Sequence, residues 1–267
     1  MGKLTRTEAQ LLSQALLKGD QKVVRSLLNL IGGGDLRVPP RKNRPASETP
    51  LMLAAEGGHA PVLRLLIALG ADVYATNQFK QPALLYAVRG NHLSVTKVLL
   101  QNGADPNVEM VDGDFVLREA AVKGVDLGIT RALLQCGADT SMANKMGSTA
   151  LHIAAFQGRV DVAKLLIRAG ADVNHRDRHG QGPLTCAISR NQGEIARLLI
   201  QHGADPRLQP EALGVAAWEG KLALVNLLVK NGWHVRSKSH QGRTPLEHAR
   251  NRRHKAVVTA LMKAGMS

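Results

Sequence analysis

The sequence predicts an all-α solenoid of helix-turn-helix units with protruding β-hairpin or loop fingers, about eight units with a degenerate first one. Three observations carry this reading. The tripeptide Gly-Ala-Asp starts at Gly70, Gly103, Gly137, Gly170 and Gly203, at intervals of 33, 34, 33 and 33 residues. An apolar pair or triplet precedes each copy, as in Leu65-Leu66-Ile67 and Leu165-Leu166-Ile167. Further upstream a small pair recurs (Ala54-Ala55, Ala120-Ala121, Ala154-Ala155, Ala216-Ala217), followed by Gly. Finally, aromatic residues make up only 3% of a chain that is 44% hydrophobic. A deep core usually leans on aromatic rings, so Leu, Ala, Val and Ile must fill many thin layers. A fixed period of this length is the signature of stacked repeats.

Taken in chain order, Leu11 to Leu28 reads as a degenerate first unit. Ala15-Leu16 takes the small-pair position, Gly19 the turn, and Val23, Val24, Leu27 and Leu28 the second helix. The unit around Thr149 shows the pattern best. Thr149 caps a short helix with small apolar faces at Leu151, Ile153, Ala154 and Ala155. Gly158 ends it, and a second helix over about 160–168 is expected to bury Val162, Leu165, Leu166 and Ile167. Gly170 stops that helix, and the chain turns out through Asp172 to a tip at His179-Gly180. No such unit buries its own apolar face, so neighbours must stack.

Thr149-Ala150-Leu151-His152-Ile153-Ala154-Ala155, Thr49-Pro50-Leu51, Thr244-Pro245-Leu246 and the five Gly-Ala-Asp copies together resemble the ankyrin repeat over residues 49–267. The resemblance implies a non-catalytic protein-protein interaction module, adaptor or scaffold. It divides the chain into a degenerate capping repeat (1–34), an extended basic finger or arm (35–48) and a stack (49–267). The stack reads as units 49–81, 82–114, 115–148, 149–181, 182–210, 211–243 and 244–267. Two irregularities stand out: the first finger is about five residues long of the standard, and the connection from Asp205 to Glu211 is four residues short.

The chain has 35 Lys and Arg against 21 Asp and Glu, a net charge of +14. Residues 1–48 hold nine basic and four acidic side chains, and residues 230–267 hold nine and one, whereas residues 49–229 are nearly balanced at 17 and 16. The basic arm gathers Arg37, Arg41, Lys42 and Arg44 beside prolines, and the basic cap gathers Arg236, Lys238, Arg243, Arg253 and Lys255. A solubilising cap usually mixes both signs, so an acidic partner is the leading reading for the cap, while the arm reads equally as a contact for phosphate backbones, acidic proteins or lipid headgroups and as a solvated loop. A second reading makes the chain a structural subunit of a nucleoprotein assembly whose basic ends clamp RNA or DNA phosphates. Nucleic acid is secondary, because stacking aromatics are missing among the basic residues, and an anionic membrane surface ranks last.

By the resemblance, the partner surface is the concave face formed by first-helix ends and finger tips. Its candidate residues are Phe79, Arg89, Lys123, Phe156, Arg178, Arg190, Trp218 and Arg252. Phe156 and Trp218 would anchor a partner protein, and the arginines would pair with its acidic groups.

No catalytic constellation, cofactor, metal or small-molecule substrate is expected. Asp72, Asp105, Asp139, Asp172 and Asp205 recur once per repeat and read as structural. His175 and His179 read as solvated, and Cys136 and Cys186 as small packed hydrophobes. The N-terminus lacks the apolar stretch of a secretory signal, and Arg6 stands where a myristoylation motif wants Ser or Thr. A reducing compartment, cytoplasmic or nuclear, follows as the expectation.

Overall fold

The computed structural model describes residues 5–31, 48–122, 124–238 and 242–265. Among them the helices pair as eight hairpins, distributed over two compact units. The first unit is Met1–Ala120 with Gly124–Lys145, and the second is Ala121–Lys123 with Met146–Ser267. The first carries α1 (Arg6–Lys18) with α2 (Gln21–Ile31), α3 (Pro50–Glu56) with α4 (Ala60–Ala68), α5 (Ala83–Arg89) with α6 (Leu93–Gln101), and α7 (Val116–Ala120) with α8 (Leu127–Gln135). The second carries α9 (Ala150–Gln157) with α10 (Val160–Arg168), α11 (Pro183–Ser189) with α12 (Gly193–Gln201), α13 (Ala212–Trp218) with α14 (Leu222–Lys230), and α15 (Pro245–Asn251) with α16 (Lys255–Gly265). Within each unit, first helices stack on first helices and second helices on second.

Local chemistry sets the helix starts. Thr5, Thr49 and Thr244 each accept the backbone N–H three residues on, at 3.3 Å, and prolines open α3 and α15 where no amide partner is needed. Thr149 caps α9 through His152 instead. The Thr149 N–H donates to His152 Nδ1 at 3.2 Å, which leaves the ring proton on Nε2, 3.1 Å from the Gln181 carbonyl. One buried imidazole therefore ties a helix start to the next finger.

The first helices end in a left-handed residue. Gly158 takes φ +77°, a conformation without penalty for glycine. Arg253 has to adopt φ +61° at the same point after α15.

The layers are thin, as the composition requires. In α3, Pro50 through Ala55 are all buried, because α1 covers one side and α5 the other. Alanine at the contacts lets the helices approach closely. Fingers between repeats are turns, with an isolated antiparallel bridge between Thr76 and Pro82 rather than long hairpin strands. Each repeated aspartate closes its own turn: Asp72, Asp105, Asp139, Asp172 and Asp205 accept the backbone N–H two residues on at 2.7–2.8 Å. Asn107 and Asn174 then strap one turn to the next, donating to the carbonyls of Gly137 and Gly203 and accepting from the amides of Asp139 and Asp205.

Several expectations are corrected. Leu165 and Ile167 are half-buried rather than buried, because only the stripe through Val162, Ala163 and Leu166 meets neighbours. Cys136 is exposed at the end of α8, and Cys186 is half-buried, its thiol pushed up to about 12 by burial. His175 is not simply solvated; its Nε2 lies 3.1 Å from the Gly147 carbonyl. The basic run from Arg250 to Lys255 spans the turn between two helices, since α15 stops at Asn251 and α16 opens at Lys255. The shortened connection after Asp205 is filled by Gln209, fully buried, whose Nε2 donates to the Val173 carbonyl at 3.2 Å. Its own carbonyl accepts the Trp233 indole N–H at 2.9 Å, so Trp233 serves packing.

Candidate functional site

The last turn of each first helix places one side chain per repeat beside the finger. In the first compact unit this position holds Glu56 and Arg89; Lys123 lies outside the described residues. The Arg89 Nε is 3.4 Å from Glu119 Oε2, so its charge is already answered within the unit.

The second compact unit solves the same position differently. Phe156, Arg190, Trp218 and Arg252 follow one another at the ends of successive first helices. The Arg190 guanidinium carbon lies 4.0 Å above the Phe156 ring centroid, and that of Arg252 lies 4.6 Å above Trp218. In each case the arginine sits 34 residues after its ring. Arg190 and Arg252 are the residues at which α11 and α15 stop, and the left-handed residues after them, Asn191 and Arg253, swing the chain away and leave each guanidinium over the preceding repeat. Trp218 is held from below by His248, whose ring meets it edge-on at 5.7 Å. Its carbonyl lies 3.0 Å from His254 Nε2. Burial holds the His248 imidazole below the usual histidine range, so the group under the indole stays neutral near pH 7.

Both arginines are exposed, and among the described residues neither makes an ion pair. A guanidinium stacked on a ring loses little mobility on binding and keeps its in-plane N–H donors for a carboxylate. Phe156 is 37% exposed and Trp218 half-buried, so each pair offers a flat apolar patch with a fixed cation at its edge.

The other sequence candidates scatter. Phe79 is 44% exposed at a finger tip of the first unit, where its N–H donates to Asn77 Oδ1 at 2.8 Å. Arg178 is exposed on a finger of the second unit, and its backbone N–H donates to the Met146 carbonyl. Arg37, Arg41, Lys42 and Arg44 lie outside the described residues. Arg236, Lys238, Arg243, Arg253 and Lys255 are exposed, and of these Arg236 lines an open cavity of about 310 Å³ together with Val235, Leu246, Leu261 and Met262. Sequence reasoning missed the stacking of Arg190 and Arg252, which only the 34-residue offset could have signalled. It also missed a row of cations on the second helices.

Among the described residues no group of three or more His, Cys, Asp and Glu is placed to hold a metal ion, and no helix is long and apolar enough to cross a membrane.

The architecture defines a class, and the comparisons with known proteins define the same one. The family described as ankyrin repeats (3 copies) matches residues 12–110 and 117–210, and the chain belongs to that family. Among solved structures, the crystal structure of the human ASB11 ankyrin repeat domain is similar in fold, with a TM-score of 0.70 at 24% identity, covering 81% of this chain and 98% of that one. No curated protein matches the chain. Ankyrin repeats are generally protein-protein interaction modules, and their fold is a non-catalytic scaffold.

Proposed function

We propose that this chain is a non-catalytic adaptor, cytoplasmic or nuclear, that docks an acidic segment of a partner protein on the concave-face positions of its second compact unit. Phe156 and Trp218 are the apolar anchors, and Arg190 and Arg252 are the carboxylate clamps. The observation that carries the reading is the repeated Arg-on-ring pair, exposed and without a described carboxylate partner. A folded stack gains little from leaving scarce aromatic rings partly open to water, whereas interface hot spots favour rigid aromatic and arginine side chains. Arg89 has a different part: its contact with Glu119 leaves less charge to offer, so the first unit's equivalent position contributes less.

The test is affinity capture with the full chain, comparing wild type with Phe156→Ala/Trp218→Ala by quantitative mass spectrometry. Loss of a specific, saturable partner from the double variant, with its circular dichroism spectrum unchanged, supports the reading. An unchanged partner set from a folded double variant contradicts it.

A further inference from the structure

The second helices carry a feature that charge counts along the chain conceal. Arg25, Arg64, Lys97 and Arg131 are each the fifth residue of their helix, in α2, α4, α6 and α8. These four helices pack in succession within the first compact unit. All four side chains are exposed, and none makes an ion pair among the described residues. Packed helix axes lie about 8–10 Å apart, so the four cations form a row about 24–30 Å long.

The second unit supplies an internal control. Its α10 and α12 keep a cation at the fifth position, Lys164 and Arg197, but place Asp161 and Glu194 one turn earlier. Lys164 Nζ lies 3.9 Å from Asp161 Oδ1. At that earlier position α4, α6 and α8 have Pro61, Ser94 and Gly128 instead, small and uncharged. The nearby carboxylates of Asp20 and Asp126 are engaged at helix starts, accepting the amides of Val23 at 3.1 Å and Gly128 at 2.6 Å. No acidic residue therefore lies on the four helices of the first-unit row, whereas α10 and α12 each carry one beside the cation, and Lys164 is paired with its own.

We infer that this second-helix row in the first compact unit is a docking surface for the phosphate backbone of double-stranded nucleic acid, bound without sequence preference. The residues between the cations decide the class of partner. Among the described residues none of the large exposed apolar side chains lies in the row itself, so a protein partner would find only rim-type charges, which set rates and salt dependence more than affinity. An anionic bilayer meets the same lack, because a basic patch without an inserted apolar group falls short of stable anchoring. A polyanion with condensed counterions needs no apolar anchor, since neutralising its phosphates releases ions and that release drives binding. The row shares no residue with the Arg-aromatic positions proposed for protein docking, with the basic arm or with the cap.

Polarisation titration of the full chain against a random duplex of about 20 base pairs tests the assignment across a salt series. Four phosphate contacts give a slope of log K against log salt of about −3.6, or roughly a 150-fold loss between 50 and 200 mM salt. Lys97→Gln should bring the slope to about −2.7. Arg25→Gln/Arg64→Gln/Lys97→Gln/Arg131→Gln should abolish measurable binding, and Pro61→Glu/Ser94→Glu, which copies the second unit's acids, should weaken it while every cation stays. Changing the cap residues Arg236, Lys238, Arg243, Arg253 and Lys255 to Gln should leave the difference between wild type and the quadruple variant intact. The exposed positions keep all variants folded, as melting curves would verify. No duplex binding at low salt, equal binding by the quadruple variant, or row-dependent binding to phosphatidylserine vesicles or polyglutamate without duplex binding each overturns the assignment.

Discussion

Arg190 lies 4.0 Å over the ring of Phe156 and makes no ion pair among the described residues. The pair is a cation held flat by a neighbour's ring, and it links two successive repeats. Lysine cannot reproduce that arrangement, because its ammonium is a compact, strongly hydrated point charge. Arg190→Lys should therefore weaken partner binding by about 10-fold or more despite keeping the charge. Arg89→Lys, at a position already contacting Glu119, should change it less than 3-fold, as judged by titration of a captured partner.

Gly182 and Gln209 form a steric lock under the shortened finger. A Cβ at Gly182 would stand 2.3 Å from Gln209 Oε1, and Gln209 is fully buried with its amide engaged. The backbone at Gly182 has φ −101°, which any residue tolerates, so the conflict is purely one of space. Gly182→Ala should cost about 1–3 kcal/mol. Adding Gln209→Ala should cost less than the sum of the two single changes, and a double-mutant cycle in urea measures that coupling.

Arg253 carries backbone strain that Gly158 avoids at the same point of its repeat. At φ +61° an L side chain is disfavoured by roughly 1–2 kcal/mol. Arg253→Gly should stabilise the fold by about 1 kcal/mol, after the larger unfolded-state freedom of glycine is offset. The urea midpoint should rise with the slope unchanged.

His152 makes the fold acid-sensitive. Burial, the largest influence, holds its imidazole below the ordinary value near 6.5, and the Gln181 carbonyl offsets this only in part. The unfolded chain thus takes up a proton at higher pH than the folded one does. Stability is full above about pH 6.5 and falls as pH drops through the folded value. His152→Ala should cost about 1–3 kcal/mol at neutral pH, because two buried hydrogen bonds go. It should also flatten the decline below pH 6.5 in denaturation midpoints. His92 and His248 are shifted in the same direction by burial, so some slope should remain.

Much of the fold was readable because glycines punctuate it. The helix expected over 160–168 is α10, since Gly158 and Gly170 fix both its ends. Burial was less readable: apolar residues such as Leu165 and Ile167 look like core, yet only one stripe of a stacked helix meets neighbours. The candidate face was half legible. Phe156 and Trp218 could be placed by repeat register, but their contacts with Arg190 and Arg252 depend on where α11 and α15 stop and how the next residue turns. The row from Arg25 to Arg131 escaped notice because three of its four cations lie in residues 49–229, where 17 basic and 16 acidic side chains nearly cancel. Folding sorts them by helix position, which a running sum of charge cannot do.

The most direct test of the docking account is site-specific photocrosslinking, with benzoylphenylalanine placed at Phe156 in one full-length sample and at Phe79 in another. The account predicts that Phe156 yields crosslinks to one partner segment rich in Asp and Glu, competed by the unlabelled wild-type chain, while Phe79 yields few. Crosslinks that arise from Phe79 alone, or Phe156 crosslinks to a segment without acidic residues, would contradict it.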